Sequence, residues 1–104
     1  MIKIYYLTSC PHSQKAVETL RKLKIPTEEI VADDIKTAVV ERNKTLNNNY
    51  SKFPQIFFGD SKYFVGGNSD LQTILDTLKS GKIPETRTSR KHELKLYLFL
   101  TNYI

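Results

Sequence analysis

From Met1 to Leu7 the chain reads Met-Ile-Lys-Ile-Tyr-Tyr-Leu, and so many β-branched and aromatic residues in seven predict a strand. Past Ser9-Cys10-Pro11 the period changes. Ala16, Val17, Leu20 and Leu23 recur at helical spacing, with Lys15, Glu18, Arg21 and Lys22 on the other side. Pro11 falls in the first turn, where a missing N–H is no loss and the fixed φ suits the helix. Ile25-Pro26 ends the pattern, since the residue before proline resists helical ψ, and Glu28 to Val31 predicts a short second strand. Asp33-Asp34 is the expected cap of a second helix with Ile35, Ala38, Val39 and Leu46 inward, closed by the polar turn Asn47-Asn48-Asn49.

Phe53-Pro54-Gln55-Ile56-Phe57-Phe58 predicts a strand opened by a proline; Gly59-Asp60-Ser61 turns it, and Lys62 to Val65 returns as a hairpin partner. Gly66-Gly67 breaks that strand. Asn68 or Ser69 is the expected cap of a third helix carrying Leu71, Ile74, Leu75 and Leu78, with Gly81 just past its end. The order is β-α-β-α-β-β-α, an α/β chain opening with a parallel βαβ crossover and closing with an antiparallel hairpin. We read residues 1–81 as one domain and 82–104 as a C-terminal extension. Within it Glu85 to Lys91 is an exposed connector. Leu94 to Leu100 is either an added helix or an edge strand; leucine in place of β-branched residues favours a helix packed on the domain. Left exposed, it would be a dimer contact.

With 104 residues the chain is the size of a single compact domain. Net charge is +5, from 16 Lys and Arg against 11 Asp and Glu. The basic residues are spread out, densest at Arg87, Arg90, Lys91 and His92, without zinc-finger spacing or an aromatic RNA-binding signature. A solvated surface therefore explains them better than a nucleic-acid partner. No apolar run is long enough to span a bilayer, and the strand pattern starts at once with no secretory signal. One cysteine excludes an intramolecular disulfide and a cysteine-only zinc site, and places the chain by default in the reducing cytoplasm.

That cysteine is the candidate nucleophile. A lone cysteine is most often a small buried hydrophobe. Cys10, however, stands at a strand-to-helix junction, where unpaired N–H groups favour thiolate over thiol.

The element order, Cys10-Pro11-His12-Ser13 at the first strand–helix junction, Phe53-Pro54 before the third strand and Gly66-Gly67-Asn68-Ser69-Asp70 before the third helix together resemble glutaredoxins of the thioredoxin fold. The likeness runs from about Ile2 to Lys79. It implies a four-stranded mixed sheet flanked by helices, with Cys10 as nucleophile. It also implies that Pro54 follows a cis peptide bond opposite the thiol, and that Phe53 pairs in strand fashion with a bound cysteinyl peptide. Gly67, Asn68, Ser69 and Asp70 are the implied site for the γ-glutamyl end of glutathione. Free N–H groups at a helix start suit its carboxylate, and Asp70 suits its ammonium. The same residues also serve as an ordinary turn and cap. Arg42, late in the second helix, is assigned to the glycine carboxylate.

The departures decide the mechanism. Where dithiol members carry a second cysteine this chain has Ser13, whose hydroxyl cannot resolve a mixed disulfide. The expected chemistry is therefore monothiol, through a Cys10–glutathione intermediate, with Ser13 donating a hydrogen bond to sulfur. His12 replaces the common tyrosine. Two readings of it stand, an imidazolium that favours the thiolate or a solvent-facing helix residue. Leu7 replaces a frequent basic residue. Expected partners are glutathione as co-substrate and glutathionylated or disulfide-containing proteins, acting on a monomer, with no metal. Two alternatives are a glutathione-ligated [2Fe–2S] carrier and a non-catalytic binding module. Against the carrier, that class has Gly-Phe-Ser after its cysteine and a Trp-Pro insertion, and this chain has no tryptophan.

Overall fold

A computed structural model describes residues 1–59, 63–83 and 90–104, with only the backbone of Arg90, Lys91 and His92. Eight elements follow in chain order: β1 (Ile2–Tyr6), α1 (Pro11–Lys22), β2 (Thr27–Val31), α2 (Lys36–Thr45), β3 (Gln55–Phe58), β4 (Tyr63–Gly66), α3 (Asn68–Lys79) and α4 (Arg90–Thr101). The sheet order is β2-β1-β3-β4. β1 runs parallel to β2 and antiparallel to β3, and β3 is antiparallel to β4. This is the four-stranded mixed, thioredoxin-like sheet expected.

Strand alternation divides the core. Ile2, Ile4, Ile56, Tyr63 and Val65 point to one face, where Ala16, Val17 and Leu20 of α1 and Leu71, Ile74, Leu75 and Leu78 of α3 cover them. Tyr5 and Phe57 point to the other face and meet Ala32 and Val39. The tail is a helix. Leu96, Tyr97 and Leu100 of α4 join the first core face, and Glu93, wholly buried, accepts the Tyr63 hydroxyl at 2.9 Å. The helix starts at Arg90, so the connector ends two residues earlier than the sequence pattern placed it. Its first part, like the Asp60-Ser61 half of the hairpin turn and Arg87, lies outside the described residues.

The second helix departs most from expectation. It begins at Lys36 with Ile35 at its N-cap and no side-chain cap. Asp33 turns instead to Thr8, whose N–H reaches Oδ1 at 3.0 Å. Ile35, Ala38 and Leu46 are exposed, and the inward positions are Val39 and the wholly buried Asn43. Asn43 is inward because its amide donates to the buried Gln55 side chain. The cap of α3 also shifts by one. Gly67 is the N-cap, and the Asp70 side chain reaches back to the Gly67 N–H at 3.0 Å. A methyl group on Gly66 would collide with that same carboxylate, and Gly66 has φ +130°. No helix among the described residues is long and apolar enough to cross a membrane.

Candidate active site

Cys10 is the N-cap of α1, in extended backbone (φ −86°, ψ 122°), with Pro11 at the first helical position. Its side chain therefore faces the first turn, whose N–H groups have no carbonyl to bond. The thiol is held below the ordinary cysteine value. The Ser13 N–H contributes most, partial burial opposes it, and the Ser13 hydroxyl and the His12 N–H add to it. The Ser13 side chain is wholly buried, and its Oγ accepts the Leu7 N–H at 3.1 Å. That acceptance leaves the hydroxyl proton free for another acceptor. Cys10 itself is half-exposed, so a substrate can reach it.

Across from the sulfur, the Phe53 carbonyl lies 3.9 Å away, and the Phe53-Pro54 bond is cis. A buried side chain holds this loop in place. Gln55 Nε2 donates to the carbonyls of Tyr50 and Lys52, both at 3.1 Å, and its Oε1 takes the Asn43 amide. Tyr50 N–H in turn donates to Asn48 Oδ1 at 3.0 Å. Three of the four bonds thus tie the loop's main chain, and α2 anchors the set through Asn43.

Two clefts flank Phe53. The larger, about 370 Å³, is lined by Leu7, Cys10, Val40 and Phe53, with Lys36, Glu41 and Lys52 among its charged groups. The smaller, about 210 Å³, is bounded by His12, Tyr50, Pro54 and the Gly67–Asp70 turn, and it shares Lys52 and Phe53 with the first. Tyr50 presses its hydroxyl onto Gly67, where a methyl group would have no room. Burial and the Asp70 charge raise its phenol above the ordinary value.

Of the residues singled out from sequence, Cys10, Pro11, His12, Ser13, Phe53, Pro54, Gly67, Asn68, Ser69 and Asp70 gather around the thiol and these clefts. His12 is exposed on the smaller cleft, and what it offers the sulfur is its main-chain N–H. Arg42 lies elsewhere. Its guanidinium donates to the Tyr5 hydroxyl at 2.9 Å and covers the Tyr5 and Phe57 rings at 5.2 and 5.7 Å. Lys36, Tyr50, Lys52, Asn43 and Gln55 were not picked out in advance. Gln55 did carry a signal, being the one polar residue inside an apolar strand.

A family model described as Glutaredoxin matches residues 2–63. Among solved structures, glutaredoxin from Brucella melitensis is 30% identical, over 80% of this chain and 92% of that one, with a TM-score of 0.57. Glutaredoxin 1 from Francisella tularensis, complexed with cacodylate, is 23% identical over 76% and 95%, at TM-score 0.64. A buckwheat glutaredoxin–glutathione complex is 15% identical over 99% and 80%, at TM-score 0.59. No curated protein matches.

Proposed function

The chain belongs to the glutaredoxin family, and on that footing we propose that it is a glutathione-dependent thiol–disulfide oxidoreductase working through one thiol. The carrying observation is the Cys10 sulfur itself, acidified by the first turn of α1 and partly open to solvent on the wall of the larger cleft. Ser13 in place of a second thiol supports the one-thiol route.

In the first step the Cys10 thiolate attacks the glutathionyl sulfur of a mixed disulfide. The client's S–S bond breaks, its thiolate leaves with the electron pair, and a Cys10–glutathione disulfide forms. A second glutathione thiolate attacks the glutathionyl sulfur of that adduct, yielding oxidised glutathione and returning the Cys10 thiolate. Each step exchanges one S–S bond for another, so the net reaction turns the mixed disulfide and one free glutathione thiol into the client thiol and oxidised glutathione, with no outside oxidant or reductant.

The clefts suit the tripeptide. The γ-glutamyl end fits the smaller one, where the first turn of α3 favours a carboxylate and Asp70 favours an ammonium. Its cysteinyl part runs along the Phe53 main chain. The glycine carboxylate meets Lys36 and Lys52 in the larger cleft in place of Arg42, which is committed to the Tyr5 face. Steady-state turnover of a small glutathione mixed disulfide is the test. We expect glutathione-dependent turnover that Cys10→Ser abolishes. Turnover that survives Cys10→Ser, or none in the native chain, would rule the activity out.

A further inference from the structure

Thr8, two residues before the nucleophile, is tied at each of its polar groups. Its N–H donates to Asp33 Oδ1 at 3.0 Å, its hydroxyl donates to Asp33 Oδ2, and its carbonyl accepts Gln14 Nε2 at 2.8 Å. Both oxygens of one carboxylate therefore grip one residue, from a connection 25 positions further along the chain. Leu7 comes next. Its carbonyl accepts the Cys10 N–H at 3.3 Å, and its own N–H donates to Ser13 Oγ at 3.1 Å. A serine hydroxyl has a single proton. With the Leu7 N–H seated on its oxygen, that proton points away from Leu7, and the Ser13 hydroxyl is among the groups that hold the Cys10 thiol below its ordinary value.

We infer that Asp33 is a positioning residue for the Cys10 nucleophile: by gripping Thr8 it fixes the Leu7 N–H against Ser13 Oγ, and so aims the Ser13 hydroxyl at sulfur. The inference rests on Cys10 being the reacting group, and it brings the β2–α2 connection into the site. The Thr8 hydrogen bonds also hold the Asp33 carboxyl below its ordinary value. The ionisable groups around the sulfur from the neighbouring elements are Lys36 and Glu41 of α2, Lys52 of the loop and His12 of α1. The substitutions below leave all four in place.

The test is the pH profile of Cys10 alkylation by iodoacetamide, which reads thiolate directly and needs no glutathione. Asp33→Ala should slow alkylation about threefold at pH values below the midpoint, the scale of one weakened hydrogen bond. Asp33→Asn should recover part of the rate, because its amide oxygen still accepts the Thr8 N–H. In a Ser13→Ala background Asp33→Ala should have no further effect, since the hydroxyl it aims is gone. The inference is overturned if the Asp33→Ala profile overlays the native one while only thermal stability falls. It is equally overturned if Asp33→Ala slows alkylation as much without Ser13 as with it. Should Asp33→Ala fail to fold, Thr8→Val carries the same cycle, removing the hydroxyl donor and keeping the N–H. Absent turnover in the native chain would defeat the proposed activity and leave this reading of Cys10 ionisation standing.

Discussion

At the scale of single residues, the chemistry depends on how many donors meet one sulfur. Ser13 supplies two of them, a main-chain N–H and a hydroxyl, and partial burial of Cys10 works against both. Thiolate is the form present above the midpoint, so any loss of a donor moves the alkylation profile toward alkaline pH. Ser13→Ala removes the hydroxyl and keeps the N–H. We expect alkylation at fixed pH below the midpoint to slow about three- to tenfold, as losing one hydrogen bond to a charged group implies. The same change strands the Leu7 N–H in a buried site and should lower unfolding stability by about 1–3 kcal/mol, read by urea titration. His12 offers a contrast. Its contribution to the sulfur is a main-chain N–H that alanine retains, so His12→Ala should leave the alkylation rate within about twofold of native at every pH. A larger slowing would make its imidazole an active partner of the thiolate.

At the scale of elements, α4 is a structural member of the core. Leu96 is wholly buried against the sheet face shared with α1 and α3, whereas Leu98 on the same helix is 70% exposed. Leu96→Ala should therefore cost about 2–5 kcal/mol of unfolding stability by the transfer and cavity effects of deleting a buried leucine. Leu98→Ala should stay within about 0.5 kcal/mol. Equal effects in urea titrations of the two variants would mean that the tail does not pack as described. The contrast between α4 and α2 also shows what a sequence can reveal. Strands β1 and β3, and helices α1 and α3, announce themselves because most of their buried positions are apolar, as at Ile2 and Ile4 or at Ala16, Val17 and Leu20, with Ser13 and Gln55 the polar exceptions. α2 buries only Val39 and Asn43, so its inward face has no hydrophobic stripe to read, and the apolar Ile35 and Leu46 mislead. Asp33-Asp34 looks like a cap because capping is local. The Thr8 partner it takes instead is set by the parallel register of β1 and β2, which local pattern does not specify. The nucleophile was legible for the opposite reason. Strand, cysteine, proline and helix are consecutive, so the geometry at Cys10 follows from neighbours in the chain. The cleft walls Lys36, Tyr50 and Lys52 are distant from it in sequence and come together only through the fold.

Over the whole molecule, a net charge of +5 is spread thinly, yet two of its lysines stand in the cleft that opens at Cys10, and Glu41 on the same wall is paired with Lys44. Glutathione carries two carboxylates and one ammonium near neutral pH, so its net charge is opposite to that of the protein. If Lys36 and Lys52 receive the glycine carboxylate, their contribution is an exposed charge–charge attraction. Such a contribution is modest and is screened when the Debye length shrinks from about 10 Å at 0.1 M salt to about 3 Å at 1 M. Lys52 borders both clefts and should matter more than Lys36, which borders one. Lys52→Ala is expected to raise the KM for the glutathione mixed disulfide about three- to fivefold at low salt, the range of a solvent-exposed ion pair, with kcat little changed because the lysine holds the ligand's end and not its sulfur. In 1 M salt the native chain should lose most of that advantage, so the two KM values converge. A KM gap that persists undiminished at high salt would mean that Lys52 acts through packing of its long stem. A fall in kcat at constant KM would move it from the ligand's carboxylate to the reacting sulfurs.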